Sequence, residues 1–324
     1  MSAFVRRFQN QLLGFGVLVL LLIAGSVQID GFTSSFNLKS MLVLGSFLGI
    51  AAAGQTLCAL IGGLDISIPF VIGAANVLLV WLIGKGASAA VAILVVLALA
   101  TLVGVANGLI SYKVDAPPLI VTLGMGFAVI GATQIVAASG PSTFASYSPP
   151  PAWLIDMTSL NSSFLGTGIP TVTIVWLAIS VGILGFLRFT RFGRGIYALG
   201  SNSLAARLAL VKEAGIWIAV FTLSGFLAGA AGILLVGFSG GGAVSIGDPY
   251  MFTTIAAVVI GGTSLLGGKG GYGLTMLGVA ILTVLQSFLV GIGFSPPAQQ
   301  AMLGALIVVA LAFYGREAHP RMRI

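Results

Sequence analysis

Ten long apolar runs, separated by short polar or glycine-bearing breaks, dominate the hydropathy pattern of the chain. They occupy residues 11–29, 41–62, 66–83, 88–111, 119–138, 169–187, 214–237, 251–267, 272–292 and 298–314. Runs of this length suit a helix crossing a hydrocarbon core of ~30 Å, whereas a β-barrel would show alternating segments of ~10 residues. Lipid offers the backbone no hydrogen-bond partner, so only helices or closed barrels span it. The pattern therefore predicts an all-α integral membrane protein of about ten transmembrane helices. The shorter runs are expected to cross with little tilt or to be broken, and the pairs Gly62-Gly63 and Gly267-Gly268 mark the expected breaks. The first run lacks an Ala-x-Ala-like site followed by a soluble domain and reads as a retained helix.

Composition agrees with lipid as the solvent. The 324 residues are 58% hydrophobic and only 6% charged, with a mean hydropathy of +1.15, and so few charges could not cover a surface in water. The net charge of +7 would suggest nucleic acid in a soluble protein; in this chain it is a topology signal, and no nucleic-acid partner is expected. With the N-terminus inside, twelve basic residues (Arg6, Arg7, Lys113, Arg188, Arg191, Arg194, Arg207, Lys212, Lys269, Arg316, Arg321 and Arg323) fall on the inner side. Only Lys39 and Lys85 fall outside. This asymmetry places both termini in the cytoplasm of a multi-pass protein of the bacterial inner membrane.

The chain reads as one transmembrane domain, 1–324, with two long connections. Residues 139–168, outside, are rich in Ser, Thr and Pro and read equally as a docking surface or a linker. Residues 188–213, inside, carry five basic residues and the run Leu204 to Leu210, a good short helix by propensity. One reading is a solvated loop; the other is an apolar-faced helix seated in a groove of another protein. Gly225, Gly229 and Gly232 form a small-residue series suited to close helix packing in lipid.

Little here supports chemistry. Nearly all of the acids, Asp30, Asp65, Asp115, Asp156, Glu213, Asp248 and Glu317, map to loops or helix ends, and none to the centre of a span. Ion-gradient carriers usually keep ionisable groups at mid-membrane, so the driving energy is expected from elsewhere. The single Cys58 and single His319 exclude a disulfide framework and a His/Cys metal cluster. The series Gly262 to Gly270 mimics a phosphate loop, but Lys269 is one residue too far and Gly270 stands for the required Ser or Thr. No catalytic residue, cofactor or metal is assigned to this chain. Neutral polar residues within or beside the spans, Gln55, Ser67, Asn76, Asn107, Gln134, Thr263 and Ser264 among them, together with Asp65, suit a path for a neutral polyhydroxylated solute. Interhelical hydrogen bonding explains any one of the amides at least as well.

Several segments together resemble the permease subunits of ribose-type sugar ABC importers. These are Gly62-Gly63-Leu64-Asp65-Ile66-Ser67-Ile68-Pro69; Thr190-Arg191-Phe192-Gly193-Arg194 with Tyr197-Ala198-Leu199-Gly200-Ser201-Asn202; Ala205-Ala206-Arg207-Leu208; and Ile255 to Leu265 followed by Gly267-Gly268-Lys269-Gly270. The chain departs from the family at Pro69 and Leu210, where Gly is usual, and at Ser203, Leu204, Met251 and Thr253, where acids are usual. The resemblance implies a type II importer fold, with a second permease copy or a related chain completing the pore. It also implies cytoplasmic ATPase subunits that hold ATP and Mg, and an extracytoplasmic sugar-binding protein. It assigns Gly200, Asn202, Ala205, Ala206, Arg207 and Leu208 to the ATPase-coupling segment, and the loops at 139–168 and 238–250 to the binding protein. Permeases for branched-chain amino acids, nucleosides or furanosyl signals are the nearest alternatives; a gradient-driven carrier or channel is the alternative of another class.

Overall fold

The computed structural model of the chain describes residues 3–114, 116–138 and 149–314. Asp115, residues 139–148 of the long connection, Glu317, His319 and the basic C-terminal residues lie outside the described residues. Regular structure among the described residues is entirely helical: α1 (Ala3–Gln28), α2 (Ser35–Leu60), α3 (Ile68–Gly84), α4 (Ala89–Lys113), α5 (Pro118–Ala138), α6 (Ala152–Thr158), α7 (Thr171–Phe189), α8 (Arg191–Ser201), α9 (Ser203–Leu208), α10 (Glu213–Ser239), α11 (Tyr250–Gly261), α12 (Tyr272–Gly291) and α13 (Pro296–Tyr314), with two short 3-10 turns. Each of the ten apolar runs coincides with one of the longer helices; α6, α8 and α9 are connectors. Eight segments among the described residues are long and apolar enough to cross a membrane, with Val244–Gly261 counted as one, and α3 is shorter.

The centre of the bundle is α2 and α10, whose apolar windows are 89% and 67% buried, whereas that of α1 is 6% buried and lies at the periphery. The tightest crossing joins α10 to α4. An added Cβ at Gly225 would overlap Ala100 O of α4, and one at Gly104 would overlap Phe221 O of α10. Gly108 likewise meets the backbone of Ile218, and Gly229 meets the Ala100 side chain. Small residues every fourth position let the two backbones touch, which is how helices associate where lipid removes the hydrophobic incentive. Gly232 continues the series against Ile72 O of α3.

Two spans are shortened by non-helical segments. After α2, residues 61–67 turn back into the bundle before α3 starts. After α10, residues 240–249 descend along α3: Gly242 lies against Asn76, Val77 and Val80, Val244 against Gly73, and Gly247 against Pro69 O. From Pro69 to Gly84, the far end of α3, is fifteen residues, or ~22 Å of helix rise. This corrects two expectations. The segment 238–250 is not simply an outer loop; most of it is a re-entrant segment whose small residues fit against α3. The break expected at Gly267-Gly268 lies between α11 and α12, at the end of the bundle that carries α8 and α9, so the second interruption at depth is 240–249. The described part of 139–168 is not a bland linker, because α6 seats Leu154 fully buried against Gly237 at the end of α10.

Substituting Gly225→Val should destabilise the protein by about 3 kcal/mol, the upper range for forcing atoms into a close-packed contact. Gly182→Val, where nothing lies within 4 Å, should shift stability by no more than about 0.5 kcal/mol. Thermal unfolding of both in detergent checks this; equal midpoints would contradict the backbone contact.

Candidate functional site

The polar groups of the re-entrant segment 61–67 gather around Asp65, which is only 2% exposed. Its Oδ1 accepts from Ser67 N at 2.9 Å and from Ser67 Oγ at 2.5 Å, and its Oδ2 accepts from Ser224 Oγ of α10 at 2.6 Å. Asn107 Nδ2 of α4 donates to Ser67 Oγ at 2.8 Å. Thr122 Oγ1 of α5 accepts from Ile66 N at 3.0 Å and donates to Leu64 O at 3.3 Å. One non-helical turn thus ties α4, α5 and α10 together. Among the described residues, Gln55, fully buried on α2, has no protein partner for either amide atom, and Asn107 Oδ1 has none either.

The acids correct the sequence reading. Among the described acids none sits at the centre of a spanning helix, yet Asp65 is enclosed in the bundle and Asp248 lies on the descending segment 240–249. Periodicity could not reveal this, because both residues are at helix ends and the ends themselves lie inside the bundle. The carboxylate of Asp65 is satisfied by three donors, as a charged group enclosed by protein requires.

Three other residues assigned to a solute path hydrogen-bond the protein's own backbone. Asn76 Oδ1 accepts from Ala243 N at 2.7 Å and its Nδ2 donates to Gly232 O at 3.2 Å, pinning α3 to α10 and to the descending segment. Thr263 Oγ1 bridges Gly271 N and Gly271 O, each at 3.1 Å. Ser264 shapes the same loop, its N donating to Lys269 O at 3.1 Å. Gln134 is exposed on α5 and does not join the buried cluster. Ser224 and Thr122, which complete the cluster, were not singled out in the sequence, because one hydroxyl in an apolar run resembles any other. A cavity of about 460 Å³ between α3, α4 and α5 is lined by apolar side chains and Thr133. The Thr133 hydroxyl is occupied by Val129 O at 2.7 Å, so this cavity offers little to a polyhydroxylated solute.

A second set of contacts connects the turn to α8 and α9. An added Cβ at Gly200, at the end of α8, would overlap Leu60 O and crowd Gly268 N. Gly268 N itself donates to Leu60 O at 2.9 Å. Three backbones (the end of α2, the end of α8 and the α11–α12 loop) therefore stack with no side chain between them. Tyr197 OH locks the stack by donating to Gly270 O at 3.0 Å, and burial raises its pKa above the ordinary phenol value.

From this stack α9 projects outward. Asn202 is its N-cap, with Oδ1 accepting from Ala205 N at 3.0 Å. Ala206 is buried, and Arg207 pairs with Glu213 at 2.7 Å. The hydrogen bond and the charge of Glu213 raise the Arg207 pKa above its ordinary value. The helix ends in a Schellman motif, with Val211 N donating to Ala206 O at 3.0 Å and Leu210 N to Arg207 O at 2.9 Å. Leu210 takes the left-handed position at φ 58, which normally belongs to glycine. Leu204, Leu208 and Leu210 are 67%, 79% and 89% exposed. They make an apolar knuckle on a basic face.

The chain matches the family described as "Branched-chain amino acid transport system / permease component" over residues 37–311. It is similar to the Escherichia coli protein named "Probable ABC transporter permease protein YphD", at 32% identity over 96% of this chain and 91% of that one. It is also similar to "Fructose import permease protein FrcC" of Rhizobium meliloti, at 32% identity over 91% and 82% of the two chains. With "Ribose import permease protein RbsC" of Escherichia coli the identity is 33% over 91% and 90%. No solved structure matches the chain.

Asp65→Ala leaves two hydroxyls and one backbone N–H without their charged acceptor, a loss expected to cost about 3 kcal/mol. Asp65→Asn, which keeps an acceptor oxygen, should cost less than half of that. The two unfolding midpoints in detergent test the order; a reversed order would show that the carboxylate is not what holds the turn.

Proposed function

Because this chain belongs to the branched-chain amino acid transport system / permease component family, we propose that it passes a monosaccharide inward, driven by ATP hydrolysis on separate subunits. Membership makes it a multi-pass membrane permease, a transport component. A sugar is favoured over a branched-chain amino acid because relatives alike over most of the chain are named for ribose and fructose import.

The observation that carries the driving role is the backbone stack at Gly200. A displacement of α9 has no soft side chain to absorb it before it reaches Leu60 and Gly268. From Leu60 the chain runs directly into the Asp65 turn, which is bonded to α4, α5 and α10. In this reading α9 is the handle that cytoplasmic ATPase subunits grip. The end of the bundle carrying α8 and α9 is cytoplasmic, as are both termini, and ATP and Mg reside on the partners. The leucine knuckle supplies the apolar contact; Arg207, held by Glu213, supplies a fixed charge beside it. A second permease copy or a related chain completes the pore, and an extracytoplasmic sugar-binding protein delivers solute at the opposite end. The far-end part of 139–168, stiffened by α6 with Trp153 exposed, suits that contact.

Ala205→Pro should break α9 and uncouple ATP hydrolysis from uptake while leaving the bundle folded. Leu210→Gly should relieve the left-handed backbone yet weaken ATPase binding by about tenfold, because it removes the most exposed apolar anchor. Coupled transport assays and ATPase pull-down in reconstituted vesicles measure both. The purified permease alone should accumulate no sugar against a gradient; concentrative uptake by the lone chain would refute the reading.

A further inference from the structure

Asp248 has no role in the contacts described so far, and its depth is unusual for an exposed carboxylate. Its neighbour Gly247 lies against Pro69 O, ~22 Å along α3 from the far end of that helix. Measured from the other end, Tyr250 and Gly261 are separated by eleven residues of α11, ~16 Å of rise, and Gly262 follows in the loop at the α8–α9 end. The two lengths independently put Asp248 well inside a hydrocarbon core of ~30 Å. Yet Ser245, in a 3-10 turn, and Asp248 and Pro249, which join that turn to α11, are exposed on the surface of this chain.

Lipid cannot be what they face. An acidic side chain near mid-bilayer costs at least ~2.5–3.5 kcal/mol, and such groups face protein or water. We infer that Ser245 and Asp248 line an aqueous translocation path, and that the Asp248 carboxylate accepts hydroxyl hydrogen bonds from the passing solute. A carboxylate can accept from two neighbouring hydroxyls at once and repels anionic analogues. Phe127, 62% exposed, stands at the same level through its ring contact with Phe70 at 5.7 Å, beside Pro69. Its face is suited to the apolar side of a sugar ring. The inference of a path rests on the depth and exposure of Ser245 and Asp248; the hydroxyl-bearing solute rests on the function proposed above.

The chain offers a clean background for the test, because its single cysteine, Cys58, is buried. Ser245→Cys, Asp248→Cys and Val181→Cys are prepared in the full chain and reconstituted with lipid. The probe is the membrane-impermeant cation 2-(trimethylammonium)ethyl methanethiosulfonate. Val181, 71% exposed on α7, reports a lipid-facing site. The first two variants should react at least about tenfold faster than Val181→Cys, given the cost of bringing a charged reagent into lipid. Reaction at Asp248→Cys no faster than at Val181→Cys would overturn the path. So would an unlabelled Asp248→Cys that forms a disulfide with a second copy, which would mark a seam between chains.

The role of the carboxylate is read separately, in the assembled importer with D-ribose and D-fructose. Asp248→Asn should raise the KM of uptake about tenfold with little change in kcat, with Asp248→Glu partly restoring it. An unchanged KM would overturn the hydroxyl-acceptor role. Failure of the unmodified importer to carry either sugar would count against the proposed solute, while the labelling result would still decide the path.

Discussion

The constraint on which this structure rests is that no backbone N–H or C=O can go unpaired inside hydrocarbon. An unbroken helix meets it without help. This chain interrupts its helices at depth, and each interruption is possible only because nearby side chains stand in for the missing helical ladder. Thr122 takes both polar groups offered by Leu64 and Ile66, Asp65 takes Ser67 N, and Asn76 takes Ala243 N. At the bundle end, Thr263 does the same for both groups of Gly271. Several of the conspicuous polar residues in these apolar runs, Asn76 and Thr263 among them, are therefore occupied with the protein's own backbone.

Glycine supplies the complementary half of the design. At Gly104, Gly225 and Gly232 the helices approach until backbone meets backbone, and at Gly200 the same closeness joins a connector helix to the base of a broken span. Contacts of this kind transmit displacement because they contain no rotatable side chain, and packed interiors shift between discrete arrangements more readily than they deform. The route from the leucine knuckle of α9 through Gly200 and Leu60 to the Asp65 turn is short and made mostly of backbone. In the proposed coupling to separate ATPase subunits, this is the route that joins α9 to the Asp65 turn.

The acids illustrate how depth differs from position in the chain. Asp65 and Asp248 both lie at helix ends, where a charge ordinarily meets water. The broken spans carry those ends into the bundle. Asp65 is then met by Ser67 and Ser224, and Asp248 is left on an exposed face at a depth that lipid would not tolerate. The same residue type thus serves two purposes, one internal and one at the surface, separated by whether hydroxyl donors from neighbouring helices reach it.

The amino-acid sequence by itself determined the helical class, the ten apolar runs and the basic bias of the segments around α8 and α9. Hydrophobic length and charge are local properties that lipid reads directly. Its motifs also pointed to the permease family and to the short helix at Leu204, though not to the left-handed turn at Leu210 that ends it. Only the tertiary structure decided which breaks lie inside the bundle, that 240–249 descends along α3, and that Asn76 and Thr263 hold backbone. It alone brought Ser224 and Thr122 to the Asp65 turn. These facts depend on which helices touch and at what height, and that is set by glycine contacts between segments more than a hundred residues apart, which no local pattern encodes.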